Sequence, residues 1–174
     1  GDVAGKGVPA SLFMAIAKTL AKSIASRVDQ GLGVITTLAN QELSRENAEQ
    51  LFVTLLIGIL DLESGELSLV NAGHDGPWRV SADGRVEQIT CPTDAGGPPL
   101  CVIDDFSYVA QKLSLSPGDT LCLITDGVTE AMNVQHEQYG AKRLESVLQT
   151  TDGKALPPEV VARLKESLAA FVGQ

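Results

Sequence analysis

A chain of 174 residues, 44% of them hydrophobic and 20% charged, has the size of one ordinary domain and folds around a core rather than staying disordered. Its net charge of −9 argues against nucleic acid as a partner, because phosphate backbones are bound by clustered Lys and Arg. Aromatic residues make up only 4%, so Leu, Val, Ile and Ala carry the packing.

Three cysteines, Cys91, Cys101 and Cys122, form no CxxC pair and no even set, which points to a reducing, cytoplasmic compartment rather than a disulfide framework. Cys122 lies in an apolar run and reads as a core residue. The longest apolar stretch, 51–60, contains Thr54 and Gly58; a membrane span needs about 20 residues. With no signal-peptide pattern at the start, this segment is expected to be soluble and to make no membrane contact.

In chain order, a glycine-rich loop over 1–7 comes first, and Pro9 then suits the first turn of a helix. Phe13, Ile16, Ala17, Leu20 and Ile24 recur at three- and four-residue steps and predict one apolar face on a helix over 9–27. Gly31 and Gly33 are expected to break it, with a second helix from Val34 that carries Leu38 and Leu43 and ends before Asn47. The apolar run 52–60 predicts a strand buried on both faces. Glu63-Ser64-Gly65 turns it into a hairpin partner over 66–70, and Asp83-Gly84 joins 78–80 to 85–89 in a second hairpin. Strands over 106–115 and 120–125 flank the turn Ser116-Pro117-Gly118-Asp119, and helices follow over 141–148 and 159–171. Helices, then strands, then helices predict an α+β fold with a mostly antiparallel core.

Three segments carry candidate chemistry. In Gly1-Asp2-Val3-Ala4-Gly5-Lys6-Gly7-Val8-Pro9-Ala10, Gly7 stands where a Walker A loop needs Ser or Thr after its Lys. Gly5, Gly7 and Ala10 match dinucleotide spacing, but the next element is a helix and not the second strand of a βαβ unit. What remains is Asp2 held by glycines at the mouth of a helix, as a ligand or as a solvated side chain of a capped loop. In Leu121-Cys122-Leu123-Ile124-Thr125-Asp126-Gly127, a strand is expected to end directly in Asp126, either as a rigidly aimed ligand or as a polar turn. In Val70-Asn71-Ala72-Gly73-His74-Asp75-Gly76-Pro77, His74 reads as a structural imidazole remote from any metal, as a general acid, or as part of a loop that contacts a partner.

In this order and spacing the segments resemble the bacterial metal-dependent phosphatases (PPM) related to protein phosphatase 2C, in the branch of the stage II sporulation phosphatase and stress-response sigma-factor regulators. The matching stretches are GDVAGKGVPASLFMA (1–15), FVTLLIGILDLESGELSLVNAGH (52–74), LSPGDTLCLITDGVTEAMN (115–133) and YGAKRLESVL (139–148). The resemblance implies one phosphatase domain over 1–174, folded as two packed, mostly antiparallel sheets between helix layers, an αββα sandwich. It implies that Asp2 bridges two divalent ions, Mn²⁺ or Mg²⁺, with the Val3 carbonyl on the second and Asp126 on the first, so that Asp2 and Asp126 are the catalytic residues. Water activated by the two ions then hydrolyses phosphoserine or phosphothreonine on a regulatory partner of the anti-sigma-antagonist type. An upstream sensor or receiver domain and a homodimer are further partners that the resemblance allows.

Two of the family's aspartates, one in a Gly-Gly-Asp strand and one in an Asp-Asp-x-Thr motif, have no counterpart here. The segment is therefore expected to be truncated at both ends and to bind metal poorly; Asp104-Asp105 stands in the wrong place to substitute. Eukaryotic relatives carry a His two residues after the bridging aspartate, where this chain has Ala4. The rival reading is a catalytically silent module of the same fold that binds partners. The helix following Asp2 is expected to transmit any rigid shift to a metal ligand.

Overall fold

The structure is a computed structural model that describes residues 1–45, 47–151, 153 and 155–173. In chain order its elements are β1 (Asp2–Val3), α1 (Val8–Ala25), α2 (Leu32–Arg45), β2 (Val53–Leu60), β3 (Glu66–Ala72), β4 (Trp78–Val80), β5 (Val86–Gln88), β6 (Gln111–Ser114), β7 (Thr120–Cys122), α3 (Asp126–Thr129), α4 (Gly140–Gln149) and α5 (Pro157–Val172). They fall into two compact units, Gly1–His74 with Cys91–Ser114, and Asp75–Thr90 with Leu115–Gln174. The first contains a sheet of order β1-β2-β3-β6 and the second a sheet of order β5-β4-β7, with every neighbouring pair antiparallel. The α+β class and the antiparallel sheets are as the pattern of elements predicts.

In the first unit, α1 buries Ala10, Phe13, Ala17 and Ala21, a stripe of mostly small residues at three- and four-residue steps. Ile16, expected on that face, is 56% exposed; it stands about 100° around the helix from Ala17, off the edge of the stripe. Among the described residues α1 is also the helix long and apolar enough to cross a membrane, at mean hydropathy 1.3, although its buried stripe belongs to the core of this unit. Gly33 does not break a helix. It lies in the first turn of α2, where a Cβ would sit 2.4 Å from the Tyr108 carbonyl oxygen, so the glycine permits close approach.

The strand expected to be buried on both faces is covered only at its start. Val53 is 1% exposed, but Ile59 is 54% exposed. The core of this unit gathers Val3, Phe13, Leu43, Val53, Val70 and Leu100 around the beginning of β2, and the strand runs on past it towards the turn at 61–65. Fully buried Asn40 on α2 ties down the loop beyond Leu100. Its amide donates to the carbonyls of Ile103 and Asp104 at 2.9 and 3.0 Å, and its oxygen accepts the Cys101 N–H at 2.7 Å. Cys101 itself is in the left-handed region, at φ 68.

In the second unit, the Asp83-Gly84 hairpin forms as expected, with Val80 opposite Val86 and Gly84 at φ 86. Trp78, Val80, Tyr139, Leu144, Leu148 and Phe171 make its core, and the Tyr139 and Phe171 rings meet edge to face at 5.4 Å. The strand expected over 106–115 shortens to β6, and β6 does not pair with β7: one lies beside β3 and the other beside β4. The 116–119 turn is therefore a connection between sheets, not a hairpin.

Asp119 shapes that connection. Its side chain is 2% exposed and accepts the N–H groups of Ser116 and Ala82 at 2.8 and 3.1 Å and the Arg79 guanidinium at 3.0 and 2.6 Å. Burial alone would raise its pKa, but the two backbone donors and Arg79 outweigh it and hold the carboxyl below the usual range. A carboxyl whose pKa is depressed by folding stabilises the fold above its unfolded value of about 3.9 and loses that contribution as pH falls through the folded value. Asp119→Asn is therefore expected to flatten the acid limb of a stability–pH curve measured by urea midpoints. Parallel curves for the two proteins would remove Asp119 from the account of acid unfolding.

Candidate functional site

Asp2 and Val3 form an edge strand on β2, with Asp2 opposite Thr54 and Val3 opposite Val53. Alternation buries the Val3 side chain at 8% exposure and leaves Asp2 exposed. Val53 engages both its backbone groups with Leu100, at 3.1 and 2.8 Å, while Ala4 donates its N–H to the Phe52 carbonyl at 2.9 Å. The Val3–Val53 pair is thus the kind that exchanges no hydrogen bonds, and the Val3 carbonyl is directed away from β2 at the open edge of the sheet. Gly5 and Gly7, at φ 105 and 86, then turn the chain into α1, where Pro9 occupies the first turn. Because β1 runs antiparallel to β2, the Gly5–Gly7–Ala10 spacing does not sit in a βαβ unit, and the dinucleotide reading lapses.

Asp126 belongs to the second unit. The expectation of a strand ending directly in Asp126 is corrected: β7 stops at Cys122, Leu123 is 56% exposed, and Asp126 is the first residue of the one-turn helix α3. Thr125 precedes it in an extended conformation, and the Asp126 carbonyl accepts the Glu130 N–H at 2.7 Å. The polar residues after the apolar run Leu121–Ile124 thus start a helix, and the Asp126 carboxylate is exposed there.

His74 is not remote from the Asp2 segment. Its Nδ1 lies 2.8 Å from the Thr54 hydroxyl, and that same hydroxyl accepts the Asp2 N–H at 3.1 Å and lies 3.3 Å from the Asp2 carbonyl oxygen. The link depends on the long-range register of β1, β2 and β3, which places residues 2, 54 and 74 together. Thr54 is the residue that sequence reasoning missed as a participant; its one signal is that it interrupts the apolar run 51–60. Asp104 and Asp105 lie in the loop held by Asn40, as exposed residues.

In the first unit the Asp2 carboxylate and the Val3 carbonyl, and in the second the exposed Asp126 carboxylate, are oxygen donors of the type a hard cation takes. Among the described residues no group of three or more His, Cys, Asp or Glu side chains gathers for a metal. Mg²⁺-like ions are held through one or two carboxylates and keep several waters, and the exposed Asp2 carboxylate beside an outward-directed carbonyl fits that type.

The two antiparallel sheets with helices at this connectivity define a protein phosphatase 2C-type fold. The SiaA-PP2C domain of Pseudomonas aeruginosa matches it with a TM-score of 0.76 at 20% identity, over 99% of this chain and 67% of that one. The catalytic domain of the serine threonine protein phosphatase PstP, solved in complex with 2 manganese ions, matches with a TM-score of 0.66 at 14% identity, over 99% of this chain and 80% of that one. The chain belongs to the stage II sporulation protein E (SpoIIE) family, whose model matches residues 1–174. It is 26% identical to the phosphoserine phosphatase RsbU of Bacillus subtilis over 129 residues, which is 74% of this chain and 37% of RsbU. The chain spans between 17% and 37% of the length of the curated relatives it matches.

Proposed function

We propose that this chain is the phosphatase domain of a metal-dependent protein phosphatase acting on phosphoserine or phosphothreonine of a regulatory protein. The observation that carries the reading is the edge strand β1, which exposes the Asp2 carboxylate and directs the Val3 carbonyl away from its partner strand. A relative that is a phosphoserine phosphatase and a neighbour that holds manganese support the same chemistry. Asp2, Val3 through its carbonyl, and Asp126 would hold Mn²⁺ or Mg²⁺. When bound, such ions neutralise phosphoryl charge and acidify the attacking water.

The chain's own part is positioning. The pairing of β1 with β2 sets the direction of the Val3 carbonyl and the face from which the Asp2 side chain leaves before any ion arrives. Ala4 brings no proton donor, so position 4 takes no part in protonating the serine oxygen. The substrate we propose is a small anti-sigma-antagonist-like phosphoprotein, met in the cytoplasm under the control of an upstream sensor or receiver domain; its support is the likeness to RsbU and to stage II sporulation protein E.

The full-length protein should release phosphate from phosphoserine peptides with Mn²⁺, stop when the metal is chelated, and lose turnover in Asp126→Ala. Near-normal turnover in that variant would remove Asp126 from the site. A partner-binding module without activity would release no phosphate with any divalent ion.

A further inference from the structure

We infer that Thr54 and His74 are positioning residues that fix the backbone of Asp2, and that this is the purpose of the Asn71-Ala72-Gly73-His74 motif. The inference rests on the reading of Asp2 and Val3 as metal ligands. A strand of only two residues at a sheet edge, β1 has few ladder bonds to hold it. The Thr54 hydroxyl adds a side-chain lock to that ladder. A hydroxyl has one proton and two acceptor sites, so contacts to the Asp2 N–H, the Asp2 carbonyl and His74 Nδ1 engage its whole capacity around one oxygen. Of these the His74 contact is the shortest, at 2.8 Å, and it selects one orientation of a β-branched side chain that is already stiff.

His74 is itself built into place. Asn71 accepts the His74 N–H at 2.7 Å and donates to the His74 carbonyl at 2.8 Å, so one amide clamps both backbone groups. Between them Gly73 stands at φ 67, and a Cβ there would lie 2.5 Å from Pro99 Cδ and Cγ. Only glycine allows this turn, and the turn is what delivers the imidazole to Thr54. Thr54 and His74 are both half-buried, which protects their hydrogen bond from competition with water. The motif therefore acts on the metal ligand through Thr54, without touching a substrate.

The test uses the full-length protein as wild type, Thr54→Val, Thr54→Ser and Asp2→Asn. Amide hydrogen exchange is read at residues 2–4 without metal, and Mn²⁺ affinity is read by titration. Valine keeps the branched shape and loses the hydroxyl. It is expected to speed exchange at residues 2–4 and to weaken Mn²⁺ by about 10–100-fold, the range for groups that orient a ligand from behind. Serine keeps the hydroxyl and should restore both readouts towards wild type. If Asp2→Asn loses Mn²⁺ while Thr54→Val retains wild-type affinity, Thr54 is merely structural and the inference is overturned, whatever happens to melting temperature. If Asp2→Asn itself binds Mn²⁺ like wild type, the metal reading fails and takes the inference with it. Should Thr54→Val not fold, His74→Ala, which leaves β2 intact, carries the same comparison with the same deciding outcomes.

Discussion

Asparagine in place of Asp2 is expected to lower Mn²⁺-dependent hydrolysis of a phosphoserine peptide by about a hundred- to a thousandfold in the full-length protein, the scale for losing one preorganised electrostatic element. The substitution changes almost no volume, and the Asp2 side chain is exposed, so the fold has little reason to respond. What changes is charge: a carboxylate oxygen that binds a hard cation becomes a neutral amide. The β1–β2 pairing uses backbone groups, which asparagine retains. Melting temperature should therefore stay close to wild type while turnover collapses. A variant that keeps its turnover would show that Asp2 is only a solvated side chain on the edge strand.

A large loss of stability is expected at Asn40, a fully buried polar residue of α2. Alanine there leaves the Cys101 N–H and the carbonyls of Ile103 and Asp104 without their amide partner, in a loop whose left-handed Cys101 needs that support. Leaving such groups unsatisfied costs about 2–3 kcal/mol, which in a domain of this size lowers the melting temperature by roughly 5–10 °C. Asn40→Asp separates the two halves of the amide. The remaining oxygen can still accept from Cys101, but a carboxylate then faces two carbonyls. Such a carboxyl has its pKa raised by folding, so its penalty is absent below the unfolded value of about 3.9 and grows as pH rises above it. A thermal melt series across pH should show Asn40→Asp approaching wild type in acid. Equal losses at every pH would mean that Asn40 contributes shape only.

Much of the architecture was legible because its signals are local. Asp83-Gly84 and Glu63-Ser64-Gly65 announce their turns, and the three- and four-residue spacing in α1 announces a helix. The misreadings concern what lies across space. The 116–119 turn declares a reversal but not which strand will be the neighbour, and buried Asp119 bonded to Ala82 and Arg79 directs β7 to β4. An apolar run such as 53–60 cannot reveal where its cover ends, and Gly33 looks like a breaker until Tyr108 is placed against it. Among the candidate ligands, Asp2 and Asp126 stand out in the sequence because each is a charged residue beside a glycine. Thr54 does not, since its meaning depends on partners 52 and 20 residues away.

The order in which the chain visits its two units has a consequence for how it can be made. The first unit is left at His74 and resumed at Cys91, and the second begins as the excursion between them. During synthesis the first sheet waits for Leu100 to pair with Val53 and for β6 to reach β3, while the β4–β5 hairpin emerges ahead of its third strand, β7. No single cut separates the two: severing the chain after residue 114 deprives the second unit of β4 and β5, and severing it after 74 or 90 deprives the first of β6. The two units are encoded as one interleaved stretch, so a crossover after residue 74, 90 or 114 leaves one sheet short of strands.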